Sequence, residues 1–107
     1  MDWHRTGRPV PIATRQRLTV DDAAGGLVLP SIPAGAVAAV CRLETEQVRF
    51  TLDGTAPTSS AGKTLEVGEL LTLDSREELT GFLAIRTGGS SGVLDIEYFA
   101  ESAGSEM

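Results

Sequence analysis

Val48-Arg49-Phe50-Thr51-Leu52-Asp53-Gly54 runs apolar, polar, apolar, polar, apolar, polar, then glycine. Side chains on a strand point to opposite faces in turn. This spacing therefore sets Val48, Phe50 and Leu52 on one buried face and Arg49, Thr51 and Asp53 on the other. The Asp-Gly pair that follows reads as a turn, because glycine takes positive φ without steric cost. These seven residues describe a half-buried strand that ends by reversing.

The same period of two continues on both sides of this stretch. Toward the N-terminus, Val37, Ala39, Cys41 and Leu43 alternate with Ala38, Val40, Arg42 and Glu44, and Leu18 and Val20 alternate with Arg17, Thr19 and Asp21. Toward the C-terminus come Leu65 and Val67, Leu71 and Leu73, Leu83 and Ile85, and then Leu94, Ile96 and Tyr98 set against Asp95 and Glu97. Turn residues fall between these runs at Gly25-Gly26, Pro33-Ala34-Gly35, Gly68 and Gly88-Gly89-Ser90-Ser91-Gly92. The segment 75–80 is the one helical candidate: Ser75, with Glu78 three residues on, has the form of a capping box and supports about one turn. About seven to eight short strands with glycine-marked reversals predict an all-β fold, a single antiparallel β-sandwich. Residues 15–100 form that domain. Residues 1–14, with Gly7, Pro9 and Pro11 and no sustained period, read as an extended N-terminal arm, and residues 101–107 as a flexible tail.

Charge is unevenly distributed along the chain. Residues 1–17 hold four arginines against one acid, a balance of +3, whereas residues 18–107 hold five basic and fourteen acidic residues, a balance of −9. An acidic body argues against nucleic acid as the ligand, since phosphate neutralisation needs a basic face. The basic head could instead dock on an acidic surface, such as that of a neighbouring copy. Trp3, the single tryptophan, lies in this head, and aromatic anchors are enriched at interface centres. A folded-back side chain or a solvated arm is the alternative. Cys41 is the only cysteine, so no intrachain disulfide can form. No apolar run approaches the roughly 20 residues that cross a bilayer, and no signal-peptide pattern opens the chain. The expectation is a protein made in the cytoplasm, with no membrane partner.

Residue types that carry catalysis are sparse. His4 is the only histidine and belongs to the arm, so a multi-histidine metal site or a rigid Ser-His-Asp triad has no support, and no catalytic, metal or cofactor-binding residues are expected. Cys41, on the apolar side of its strand, reads as a small buried hydrophobe. Gly62-Lys63-Thr64 ends like a phosphate loop, but Pro57 stands where that loop needs glycine and a strand follows instead of a helix. Asp53-Gly54-Thr55 lacks the alternate oxygen ligands of a calcium loop. The pairs Asp21-Asp22 and Glu77-Glu78 read as solvated turn charges.

A family resemblance enters with the ordered set Ile32-Pro33-Ala34-Gly35, Val48-Arg49-Phe50-Thr51-Leu52-Asp53-Gly54-Thr55-Ala56-Pro57-Thr58, Gly62, Leu65-Glu66-Val67-Gly68-Glu69, Phe82-Leu83-Ala84-Ile85-Arg86 and Val93-Leu94-Asp95-Ile96-Glu97-Tyr98-Phe99. In this order the pieces, from about residue 33 to residue 99, resemble small tailed-phage virion structural proteins, specifically head decoration (capsid cement) proteins. The resemblance implies a jelly-roll-like sandwich that binds the major capsid protein or other virion proteins in many copies and self-associates, with a trimer favoured. It also implies a place on the capsid surface after synthesis in the host bacterial cytoplasm. Leu52 departs from it, being apolar where a polar residue precedes Asp-Gly, as does the basic arm. A head-closure, collar or tail role stays open, and so does a carbohydrate- or receptor-binding module. The candidate partner-binding residues are Trp3, Arg5 and Arg8 in the arm, Thr55, Pro57 and Thr58 in the loop 55–61, and Ser90 and Ser91 in the loop 88–92.

Overall fold

A computed structural model describes residues 9–101. Its elements are β1 (Pro9–Val20), β2 (Ala38–Thr45), β3 (Val48–Thr51), β4 (Lys63–Leu65), β5 (Leu70–Leu73), α1 (Arg76–Gly81), β6 (Leu83–Arg86) and β7 (Gly92–Glu101). They form two antiparallel sheets, in the orders β1-β7-β2-β5 and β4-β3-β6. An isolated bridge, Leu27 to Ala84, adds the 21–27 segment beside β6. The expected all-β sandwich is what the chain adopts. Each of the seven alternating runs contributes a strand, and the capping-box segment forms α1.

The alternation sets the core. Across the larger sheet, Ala39 stands opposite Tyr98 and Leu73, Cys41 opposite Ile96 and Leu71, and Leu43 opposite Leu94. These residues face Val48, Phe50, Leu65 and Ala84 of the smaller sheet in one buried cluster, closed at one end by Leu79 and Phe82. The Phe50 and Phe82 rings stack at a centroid distance of 6.2 Å. The Tyr98 ring is buried, and its hydroxyl donates to the Pro30 carbonyl at 3.1 Å. Burial disfavours ionisation and pushes both the Cys41 thiol and the Tyr98 phenol up to about 12.

Several boundaries differ from the sequence expectation. β1 begins at Pro9, so residues 9–12, expected in the arm, pair with residues 98–101 of β7. The irregularity between Ile12 and Gln16, a bulge in β1, hides this pairing from a period-2 reading. Val67, expected on a strand with Leu65, lies in the turn after β4 and is 56% exposed. In α1, the Ser75 hydroxyl accepts from the Glu78 amide at 3.1 Å, and the Glu78 carboxylate accepts from the Asp74 amide at 2.7 Å. The box therefore reaches one residue further back than its simplest form.

Two ends of the sandwich matter for function. At the helix end lie α1, the start of β1, the close of β7 and the 52–54 turn after β3. At the opposite end β2 crosses into β3 through Glu46, which has φ 38°, beside the start of β7. A Cβ at Gly92 would stand 2.7 Å from both the Glu46 carbonyl oxygen and Val48 Cγ1, so the crossing needs glycine there.

Candidate interaction site

The outer faces of the two sheets are treated differently. Over the smaller sheet, the loop 55–61 folds back as a clip. Arg49, pointing outward from β3, donates to the Ser59 carbonyl at 3.1 Å and to the Gly62 carbonyl at 2.7 Å. The Asp53 carboxylate accepts from the Thr55 amide at 3.0 Å, and these local hydrogen bonds hold the Asp53 carboxyl below its ordinary value. The Thr51 hydroxyl donates to the Thr55 carbonyl at 2.5 Å, and Thr58 and Ala61 bridge to close the loop. Pro57 is the clasp: it is buried, wedged between Gly26 and Gly62 and close to Leu83. Both glycines have positive φ, and a Cβ on either would meet Pro57 at 3.0 to 3.3 Å.

The outer face of the larger sheet carries no such cover among the described residues. It presents charges in cross-strand register: Arg17, Asp95 and Arg42 stand side by side, with Leu70 next to Arg42 at the β5 edge. Arg15 pairs with Asp95, and Arg17 reaches Glu44 at 2.7 Å. Asp95 points outward as the alternation requires, yet it is only 9% exposed, because the long arginine side chains lie over it. Leu70 is 66% exposed.

Among the described residues β1 is one of the two edges of this sheet, and its polarity follows from register. The Phe99 carbonyl accepts from the Val37 amide at 2.9 Å, so Phe99 turns its backbone groups toward β2. Pro11, opposite Phe99, therefore faces outward where its missing N–H is harmless, and Pro9 shares that parity. Past the bulge, the backbone groups of Arg17 and Thr19 face outward. Prolines and a bulge blunt half of this edge against strand addition, and among the described residues the other half stays open.

Two grooves border the clip. The first, about 480 Å³, lies at the helix end between the 52–55 turn, the start of β4 and α1; Phe50 and Leu52 form its floor, with Asp53, Lys63 and Glu78 around it. The second, about 540 Å³, lies between Pro57-Thr58-Ser59, the segment around Asp22 and Gly25, and Arg86-Thr87-Gly88. There Arg86 reaches Asp22 at 3.3 Å. Asp22 is thus a solvated turn charge with a partner.

The structure places the expected contact residues unevenly. Trp3, Arg5 and Arg8 lie outside the described residues. Thr55 lines the first groove and Thr58 the second, and both are exposed. Pro57 was expected as a partner contact, but its ring is covered by the chain's own glycines and Leu83, so it holds the clip in place. Ser90 and Ser91 sit in the turn before β7, at the end opposite the start of β1. The 55–61 and 88–92 loops border the same groove, the second, through Thr58 and Gly88. Arg49, Asp22 and Arg86 hold partners that the sequence does not signal, and Glu78 borders the first groove. Their roles arise from contacts across 10 to 64 positions, apart from Glu78, whose place in the capping box was legible. Comparisons with family models, with curated proteins and with solved structures find no match.

Proposed function

We propose that this chain is a phage virion structural protein, most specifically a capsid decoration protein that binds the major-capsid lattice and stabilises it. The observation that carries the reading is the ordered set of motif residues, which occupies β3, its clip loop, the β4–β5 turn, β6 and β7 of one sandwich. Strand order supports it. β1 lies beside β7, and the sheets run β1-β7-β2-β5 and Leu27-β6-β3-β4, the interleaving of an eight-stranded jelly roll with its second strand reduced to one bridge. Jelly rolls also serve unrelated roles, so this support is analogy at the level of fold.

The mechanism is mechanical. A protein that binds only the mature lattice shifts the equilibrium toward it, and symmetric repetition multiplies a modest single-site affinity. The outer face of the larger sheet suits this work, being open, rich in charge of both signs and bordered by exposed Leu70. The proposed partners are the major capsid protein and further copies of this chain, as a trimer, with neither catalysis nor a cofactor required. The chain would be made in the bacterial cytoplasm and end on the capsid surface.

Mass spectrometry of purified particles tests the reading. Hundreds of copies per particle fit a decoration protein, whereas about a dozen would move the chain to head closure, collar or tail by symmetry counting. Absence from the particle, together with glycan binding, would replace the proposal with a carbohydrate-binding module.

A further inference from the structure

The first groove has an apolar floor, Phe50 and Leu52, and two carboxylates at its rim, Asp53 and Glu78, against one cation, Lys63. It opens at the helix end of the sandwich, where β1 begins at Pro9. Eight residues precede Pro9: Met1-Asp2-Trp3-His4-Arg5-Thr6-Gly7-Arg8. That segment offers one large aromatic and, two and five positions later, two arginines. The chemistry matches the groove piece by piece, an indole for the floor and guanidinium groups for the carboxylates.

Reach decides whose segment is concerned. Extended, eight residues span about 27 Å. β1 lies at one edge of the larger sheet, whereas the groove lies beyond the opposite side, between β4 and α1 in the other layer. Crossing three strand spacings of about 4.8 Å and one sheet spacing of about 10 Å uses most of that length before Trp3 could turn into its own groove. A second copy, approaching helix end to helix end, has no such detour.

We infer that residues 1–8 of one copy dock in the Phe50–Leu52 groove of another, Trp3 seated on the apolar floor and Arg5 and Arg8 at Asp53 and Glu78. The inference rests on the self-association part of the proposed function and is independent of the virion part, so the purified full-length chain tests it. Trp3 is the only tryptophan, which makes intrinsic fluorescence a direct reporter of its surroundings.

The experiment follows Trp3 emission and sedimentation mass together across a concentration series. The expected result is a shift of emission to shorter wavelength that tracks the rise in mass. Trp3→Ala weakens association roughly thirtyfold, as loss of an interface anchor does. Glu78→Lys weakens it about fivefold, and Arg5→Glu added to Glu78→Lys recovers most of that loss. Because Glu78 also caps α1, the exposed Lys63→Glu serves as a second variant, expected to tighten association about fivefold by removing the one like charge. Association that survives Trp3→Ala, with the parent's emission constant as its mass rises, would overturn the inference while leaving self-association standing. A monomer at every concentration would overturn both. A monomer with Trp3 already shielded would overturn the inference in favour of the chain's own arm.

Discussion

Replacing Gly92 by alanine and replacing Gly88 or Gly89 by alanine have opposite expected effects, although all three glycines belong to one loop in the sequence. At Gly92 the added Cβ would meet the Glu46 carbonyl oxygen and Val48 Cγ1 at 2.7 Å, and the Thr45 carbonyl oxygen at 3.2 Å. Two of those three atoms are backbone, in the connection that carries the chain from one sheet to the other, so no side chain can rotate out of the way. Overpacking of this kind costs about 1–3 kcal/mol. For a domain of this size each kcal/mol moves the melting temperature by about 4–8 °C, so Gly92→Ala should melt on the order of 5–20 °C lower. At Gly88 and Gly89 no atom lies within 4 Å of the new Cβ, and neither residue is among the glycines with positive φ. Alanine there removes freedom from the unfolded chain at no cost to the folded one, and stabilises by about 0.4–1 kcal/mol. Differential scanning calorimetry of the three single variants beside the parent decides the matter. If Gly92→Ala melted within about 1 °C of the parent, or if Gly88→Ala fell as far as Gly92→Ala, the account of the crossing would be wrong.

Other perturbations probe separate parts of the fold. Cys41 is fully buried, so a thiol reagent should label it only at the rate of unfolding; rapid labelling of the native protein would contradict that burial. The thiol and the Tyr98 phenol are both held protonated by burial, each at about 12 against unfolded values of 9.0 and 10.0. Stability from these groups is therefore complete below about pH 9 and is lost as pH rises toward 12, with a slope up to about 1.4 kcal/mol per pH unit for each group, measurable by urea titration. Arg49→Ala removes both donors that tie the clip to its sheet. A destabilisation of about 1 kcal/mol is expected, with new protease nicking near Ser59 and Ser60, and an unchanged cleavage pattern would show that Pro57 alone holds the loop. Ser75→Ala removes the cap of α1 and should cost about 1 kcal/mol in a chemical melt.

Much of the fold was legible because period-2 alternation is a local signal that each strand carries alone. Cys41, Leu43, Phe50 and Tyr98 were readable as inward-facing from their neighbours, and the structure buries all four. The Ser75–Glu78 cap was legible for the same reason, since its hydrogen bonds close within four residues. Where two extra residues interrupt the pairing, as in β1 between Ile12 and Gln16, local reading loses the strand and assigns residues 9–12 to an arm.

Contacts between distant segments belong to tertiary structure alone. Nothing near Pro57 in the sequence signals that Gly26, thirty-one positions earlier, leaves room for its ring; the wedge exists because two sheets bring those segments together. The near-complete burial of outward-facing Asp95 depends on Arg15, eighty residues away. Sequence alone determined the strand faces, the turn positions, the scarcity of catalytic residue types and the separation of charge between the N-terminal segment and the body. Tertiary structure decided which loops share a groove, which sheet face stays open among the described residues, and that β1 begins at the end holding an apolar groove rimmed by carboxylates. Pattern along a chain fixes the side to which a residue points, and only strand pairing and sheet stacking fix what it meets there.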